Sequence, residues 1–213
     1  MSKKTMLFAL TVASVAMFAL PAAASAQEIH LEGPISFSGT AGAISLSAEG
    51  EPTITCESED VEGAVTAGGT TEVFNLDLTG CHTTVFGFTA KCRTTGSPLD
   101  TTIKTTGVKH FITTSDGPAS LWTLDTTTIV CAGIPNTIVH GSVIATLIFP
   151  CGTESTEMTE KFAASGTTQE HDVYTGVTYR LTATTSEGGA AKPAGLTSTV
   201  TTKSLTKGKF NCT

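Results

Sequence analysis

Hydrophobic and polar residues alternate with a period of two along most of this chain, and the three-to-four-residue spacing of an amphipathic helix is almost absent. In PTITCE, Ile54 and Cys56 share a face. In TEVFNLDLTG, Phe74, Leu76 and Leu78 share one, opposite Asn75, Asp77 and Thr79. In VFGFTAKC, Phe86, Phe88 and Cys92 do the same and are expected to point inward. The pattern predicts strands at 28–32, 35–38, 43–49, 53–57, 61–66, 71–79, 85–92, 101–106, 108–114, 120–131, 137–149, 157–164, 172–185, 196–204 and 207–212. Glycine-containing turns fall between many of them. Many short strands at such spacing predict an all-β protein, an antiparallel β-sandwich or barrel.

Three stretches carry finer expectations. Ile138 to Phe149 is apolar on both faces and belongs at the centre, covered on both sides. The segment 172–185 alternates as one strand, with Val173, Val177, Tyr179 and Leu181 inward. Glu187 to Gly195, rich in Gly, Ala and Pro, reads as a long mobile loop.

Met1 to Ala26 breaks the alternation. Lys3 and Lys4 precede an apolar run from Met6 to Leu20, and Ala24-Ser25-Ala26 offers small residues for cleavage, the three parts of a secretory signal peptide. The apolar run is shorter than a membrane span needs and ends in Pro21. The expected organisation is a signal peptide over 1–26 and one secreted β domain over 27–213, outside the cell or associated with its envelope, with no membrane span. Without Lys3 and Lys4 the formal net charge of −7 becomes −9, which argues against nucleic acid and anionic lipid as partners. Threonine is roughly a fifth of the residues and takes the outward strand positions, where β-branching suits the pleat.

Six cysteines, Cys56, Cys81, Cys92, Cys131, Cys151 and Cys212, all lie in the expected exported part, so disulfides are the default. Six cysteines allow about 15 connectivities, and sequence does not choose among them. Ranked by spacing, Cys81 with Cys92 closes the shortest loop, Cys56 with Cys131 ties an early strand to a central one, and Cys151 with Cys212 fastens the C-terminus. Zinc is the competing use, but no CxxC or close His pair is present, so no metal is expected.

The series TITC (Thr53 to Cys56), LTGC (Leu78 to Cys81), Cys92, a strand ending in Cys131, and HGSVIATL (His140 to Leu147) resembles a family of secreted, Thr- and Gly-rich all-β proteins of unknown function from high-GC Gram-positive soil bacteria. The resemblance covers Thr53 to Leu147 and, more loosely, Ala194 to Ser204. It implies a four-cysteine core, to which Cys151 and Cys212 are additions, and it implies no activity.

Catalytic and cofactor signatures are absent: there is no GxSxG, HExxH, GxxxxGK[ST], EF-hand loop or GxGxxG. His30, His82, His110, His140 and His171 are scattered singly. His140, on the face of Ile138 and Ile144, reads as a buried, hydrogen-bonded structural residue. Glu170-His171-Asp172 reads as a solvated strand start, Glu57, Glu59 and Asp60 as an acidic surface turn, and Trp122, on the face of Leu124, as core. The expectation is an exported non-catalytic domain without cofactor, structural or protein-binding at the envelope or beyond it. A carbohydrate-binding module using an exposed aromatic pair is the alternative, and a hydrolase with carboxylates converging from distant strands is the third class.

Overall fold

The structure is a computed structural model that describes residues 27–31, 35–65, 72–95, 101–113, 117–150, 152–169, 173–174 and 177–211. Residues 1–26, expected as a signal peptide, Glu170-His171-Asp172, Cys151 and Cys212 lie outside the described residues. The strands in chain order are β1 (Gln27–Leu31), β2 (Ile35–Ala41), β3 (Ile44–Ala48), β4 (Ile54–Cys56), β5 (Ser58–Val65), β6 (Glu72–Thr79), β7 (His82–Val85), β8 (Phe88–Thr94) and β9 (Thr101–Thr113). They continue as β10 (Gly117–Cys131), β11 (Thr137–Ile148), β12 (Glu154–Phe162), β13 (Ala164–Ser165), β14 (Thr168–Gln169), β15 (Val173–Tyr174), β16 (Val177–Thr178), β17 (Leu181–Thr185) and β18 (Lys192–Asn211). All pairings are antiparallel, and apart from the small hairpins β13–β14 and β15–β16 they belong to one large sheet.

The pairings of that sheet close on themselves more than once. One circuit runs β9, β6, β5, β2, β18, β12, β11, β10 and back to β9. Another runs β18, β3, β4, β7, β8, β10, β11, β17 and back to β18. Three long strands serve both. β18 pairs with β3 over Ala194 to Thr197 and with β2 over Val200 to Ser204, β10 pairs with β9 through Leu124 and with β8 from Ile129, and β11 pairs with β17 and then β12. Of the two expected architectures, the sheet closed on itself is found, which leaves fewer free edges.

The closed sheet encloses one main core that includes Phe37, Val61, Phe74, Trp122, Val143, Met158 and Phe162. Trp122 stacks at a tilt on Phe74, ring centroids 4.8 Å apart, and meets Phe162 edge-on at 5.3 Å, the offset and edge arrangements that ring quadrupoles favour. A second cluster of Ala119, Leu121 and Ile144, packed on by Tyr179, covers the other face of β10 and β11. Ser142 to Ala145 are therefore buried on both faces, as the apolar run predicts for the middle of β11. Gly141, at φ +114°, lets the Arg180 carbonyl approach where any Cβ would collide with it.

Several expected boundaries shift. The strands expected at 101–106 and 108–114 form the single β9, whose register with β10 slips between Thr105 and Gly107. Those at 196–204 and 207–212 form the single β18, and the loop before it is shortened because β18 begins at Lys192. The single strand expected over 172–185 is instead the hairpin β15–β16 followed by β17.

The disulfides correct the spacing argument. Cys56 pairs with Cys81 and Cys92 with Cys131, not Cys81 with Cys92 and Cys56 with Cys131. The four lie in one row across adjacent strands, because the registers of β4–β7, β7–β8 and β8–β10 bring 56, 81, 92 and 131 opposite one another in turn. The middle neighbours are joined through the backbone, Cys92 N–H donating to Cys81 O at 2.8 Å. Such a hydrogen-bonded pair holds its side chains further apart than the alternate kind. Cys92 and Cys131 form the alternate kind, flanked by the bond from Ala132 N–H to Lys91 O, with Cα atoms 4.1 Å apart.

Candidate functional site

The row of bridges anchors the β7–β8 hairpin, and this hairpin departs most from what folding alone asks. Val85 pairs with Phe88 across the two-residue turn Phe86-Gly87, and both turn residues have positive φ, 49° and 82°. Two positive values define the turn that matches strand twist, and Asn-Gly is its preferred sequence. Phe86 is the described non-glycine residue in this left-handed region, where a Cβ-bearing residue costs roughly 1–2 kcal/mol.

It recovers nothing by burial: Phe86 is 97 % exposed and Phe88 79 % exposed. The expectation that Phe86, Phe88 and Cys92 share a buried face is thus corrected. Alternation does place Phe88 with Ala90 and Cys92, and exposure falls along the strand to a buried Cys92. The hairpin projects past the body, so at its tip the inward-facing position has nothing to pack on.

On the opposite face of β8 lies a cleft of ≈ 790 Å³ lined by Thr89, Lys91 and Arg93, with His82, Val130 and Glu57 around them. His82 stands opposite Lys91 and Val130 opposite Arg93 in the registers. His82 Nδ1 lies 2.9 Å from Gly80 O, and a carbonyl only accepts, so the proton sits on Nδ1 and Nε2 is free for a ligand. Gly80, at φ +63°, gives way to the Glu57 side chain, whose Cδ would lie 2.7 Å from an added Cβ. Lys91 and Arg93 form no ion pair with any described residue.

A second polar grouping lies inside the first circuit. Glu59 of β5 and Glu160 of β12 are both 0 % exposed. Ser198 Oγ donates to Glu59 Oε2 at 2.9 Å. Trp122 Nε1 donates to Glu160 Oε1 at 2.9 Å and to Ser120 Oγ at 3.1 Å, and Ser120 Oγ itself donates to Glu160 Oε1. Buried His110 stands across from Ser120 in the β9–β10 register. Burial pushes the Glu59 carboxyl up to about 7; the Ser198 bond lowers it somewhat and the nearby Glu160 raises it further. Glu59 therefore belongs to no surface turn, which corrects the expectation at that position. With both acids sealed from solvent, the group is a hydrogen-bonded interior cluster, not a cleft in which a substrate meets paired acids.

Two further expected residues, Trp122 and His140, find structural places. Trp122 is core, as expected. His140 is half-buried, its Nε2 3.0 Å from Thr182 Oγ1. Among the described residues, no group of three or more His, Cys, Asp or Glu is placed to hold a metal ion, and no helix is long and apolar enough to cross a membrane. Comparison with protein-family models, curated proteins and solved structures finds no match for this chain.

Proposed function

We propose that this chain is an exported, non-catalytic binding domain that docks on another protein, at the cell envelope or outside it, through the tip of the β7–β8 hairpin. The observation that carries this reading is Phe86. A bulky aromatic residue is held in an unfavourable backbone region and left 97 % exposed, a cost to the free domain that only contact with something else can offset. Phe88 adds a second ring at 79 % exposure, and the bridges Cys56–Cys81 and Cys92–Cys131 fix the base of the hairpin. A stiff presenter of apolar anchors loses little entropy on docking. Phenyl rings without a polar handle suit a desolvated protein pocket of the hot-spot kind.

Export is supported by the leader pattern of Met1 to Ala26 and by two disulfides, which are compatible with an oxidising compartment. The non-catalytic reading is supported by the complete burial of Glu59 and Glu160. The test is a photo-crosslinking residue at position 86, with one at exposed position 126 as control, in protein secreted by its own host. A discrete protein adduct at 86 and not at 126, lost in competition with unlabelled protein and retained in competition with Phe86→Ser/Phe88→Ser, is expected. Equal labelling at both positions, or equal competition by the double variant, would refute docking by the tip. Turnover of a polysaccharide, peptide or ester that disappears on Glu160→Gln would refute the non-catalytic part.

A further inference from the structure

We propose that the cleft on the outer face of β8 binds an acidic saccharide, a sugar unit carrying a carboxylate. This site lies on the face of the strand opposite Phe88 and stands or falls separately from docking by the tip. In a chain of formal net charge −7, two of the twelve Lys and Arg residues occupy adjacent same-face positions of one strand, Lys91 and Arg93. Same-face neighbours on a strand are about 7 Å apart, so both cations can reach one anionic unit.

Neither cation is spent on an ion pair with a described residue. Arg93 offers a planar fork that fits carboxylate or phosphate oxygens in pairs, and Lys91 adds a point charge. The rest of the lining selects beyond charge. Glu57 is an acceptor that a bare anion would avoid but that a sugar hydroxyl can donate to, the Thr89 hydroxyl does either, and the His82 Nε2 acceptor sits beside Lys91. Val130 provides an apolar patch for the C–H face of a sugar ring. The volume of ≈ 790 Å³ is within the range of small-molecule sites. An acidic peptide could meet the two cations equally well, but its side chains bring no row of hydroxyls to Glu57, Thr89 and His82.

The experiment is calorimetric titration of the disulfide-intact protein with trigalacturonate, neutral galactotriose, inorganic phosphate and tetraglutamate. Trigalacturonate is expected to bind at least about ten-fold more tightly than any of the other three, and Arg93→Ala and Lys91→Ala each to weaken it by about ten-fold or more. Lys104→Ala, at another exposed cation, should leave the affinity unchanged, and unaltered melting of the cleft variants would show that they are folded. Equal affinity for phosphate would reduce the cleft to an anion site, and equal affinity for tetraglutamate would make it a peptide site. Either result overturns the proposal, as would equal binding of galactotriose, no binding of trigalacturonate, or full affinity in both cleft variants.

Discussion

Replacing Glu59 by Gln should make the protein more stable at pH 8 and remove much of its pH dependence. Glu59 is 0 % exposed, Ser198 gives it one hydrogen bond of 2.9 Å, and its Oε1 has no hydrogen-bond partner. Its ionised form has lost its water and faces the field of Glu160, so the carboxyl stays protonated up to about 7 instead of the ordinary 4.5. A folded state that holds the proton more tightly than the unfolded state is favoured by acid. The contribution is fully present below about 4.5, declines as pH rises, and is gone above about 7. At about 1.4 kcal/mol per tenfold in proton affinity, the decline amounts to about 3 kcal/mol.

Gln keeps the shape and a neutral amide, so it mimics the protonated acid at every pH. Urea unfolding of both proteins at pH 5, 6, 7 and 8, bridges intact, measures the effect. The difference between them cancels the titration of groups that do not couple to Glu59. Stability of the variant relative to the parent should rise by about 2–3 kcal/mol from the acidic to the alkaline end. Parallel curves would refute the reasoning, and so would a parent that gains on the variant as pH rises.

Three further outcomes follow from the geometry. Phe86→Asn should raise stability by about 1 kcal/mol, or roughly 2–4 °C in melting temperature, since Asn accepts the positive φ of the turn and no packing is lost; a lower melting temperature would show that Phe86 supports the fold. Peptide mapping without reduction should recover Cys56 with Cys81 and Cys92 with Cys131, and Cys92→Ser/Cys131→Ser, which opens a loop of separation 39, should cost about 4 kcal/mol in denaturant unfolding. Gly141→Ala should cost more than about 1 kcal/mol, because φ is +114° and the Arg180 carbonyl fills the space.

The fold class was legible because alternation is local: in β6 the residues that alternate as apolar, Phe74, Leu76 and Leu78, are the ones that face the core. The interior acids were legible by the same rule. Met158, Glu160 and Phe162 occupy successive same-face positions of β12, and Glu59 and Val61 do so in β5. The general habit of carboxylates to face water gave the opposite expectation for Glu59, although the period-two pattern already placed Glu160 between two core residues. Cysteine pairing was not legible, because it depends on which strand lies beside which. The short loop from Cys81 to Cys92 suggests a bridge until β7 and β8 are seen to place those residues as a hydrogen-bonded pair, with β4 and β10 supplying the partners. Nor could the sequence show that the β7–β8 tip projects past its neighbours, since that depends on how far the other strands extend.

The two departures from ordinary patterning, acids inside and phenyl rings outside, both lower the stability of the isolated domain, but they differ in what can offset them. The acids meet Ser198, Ser120 and Trp122 within the fold, so their compensation is already made, and near the pH of neutrality it is incomplete at Glu59. Phe86 and Phe88 meet nothing on the described domain that covers them. An interior departure with internal partners therefore sets how stability varies with pH. A surface departure without partners points outward, and for that reason the tip of β7–β8, not the buried carboxyl pair, is where contact with another molecule should be sought.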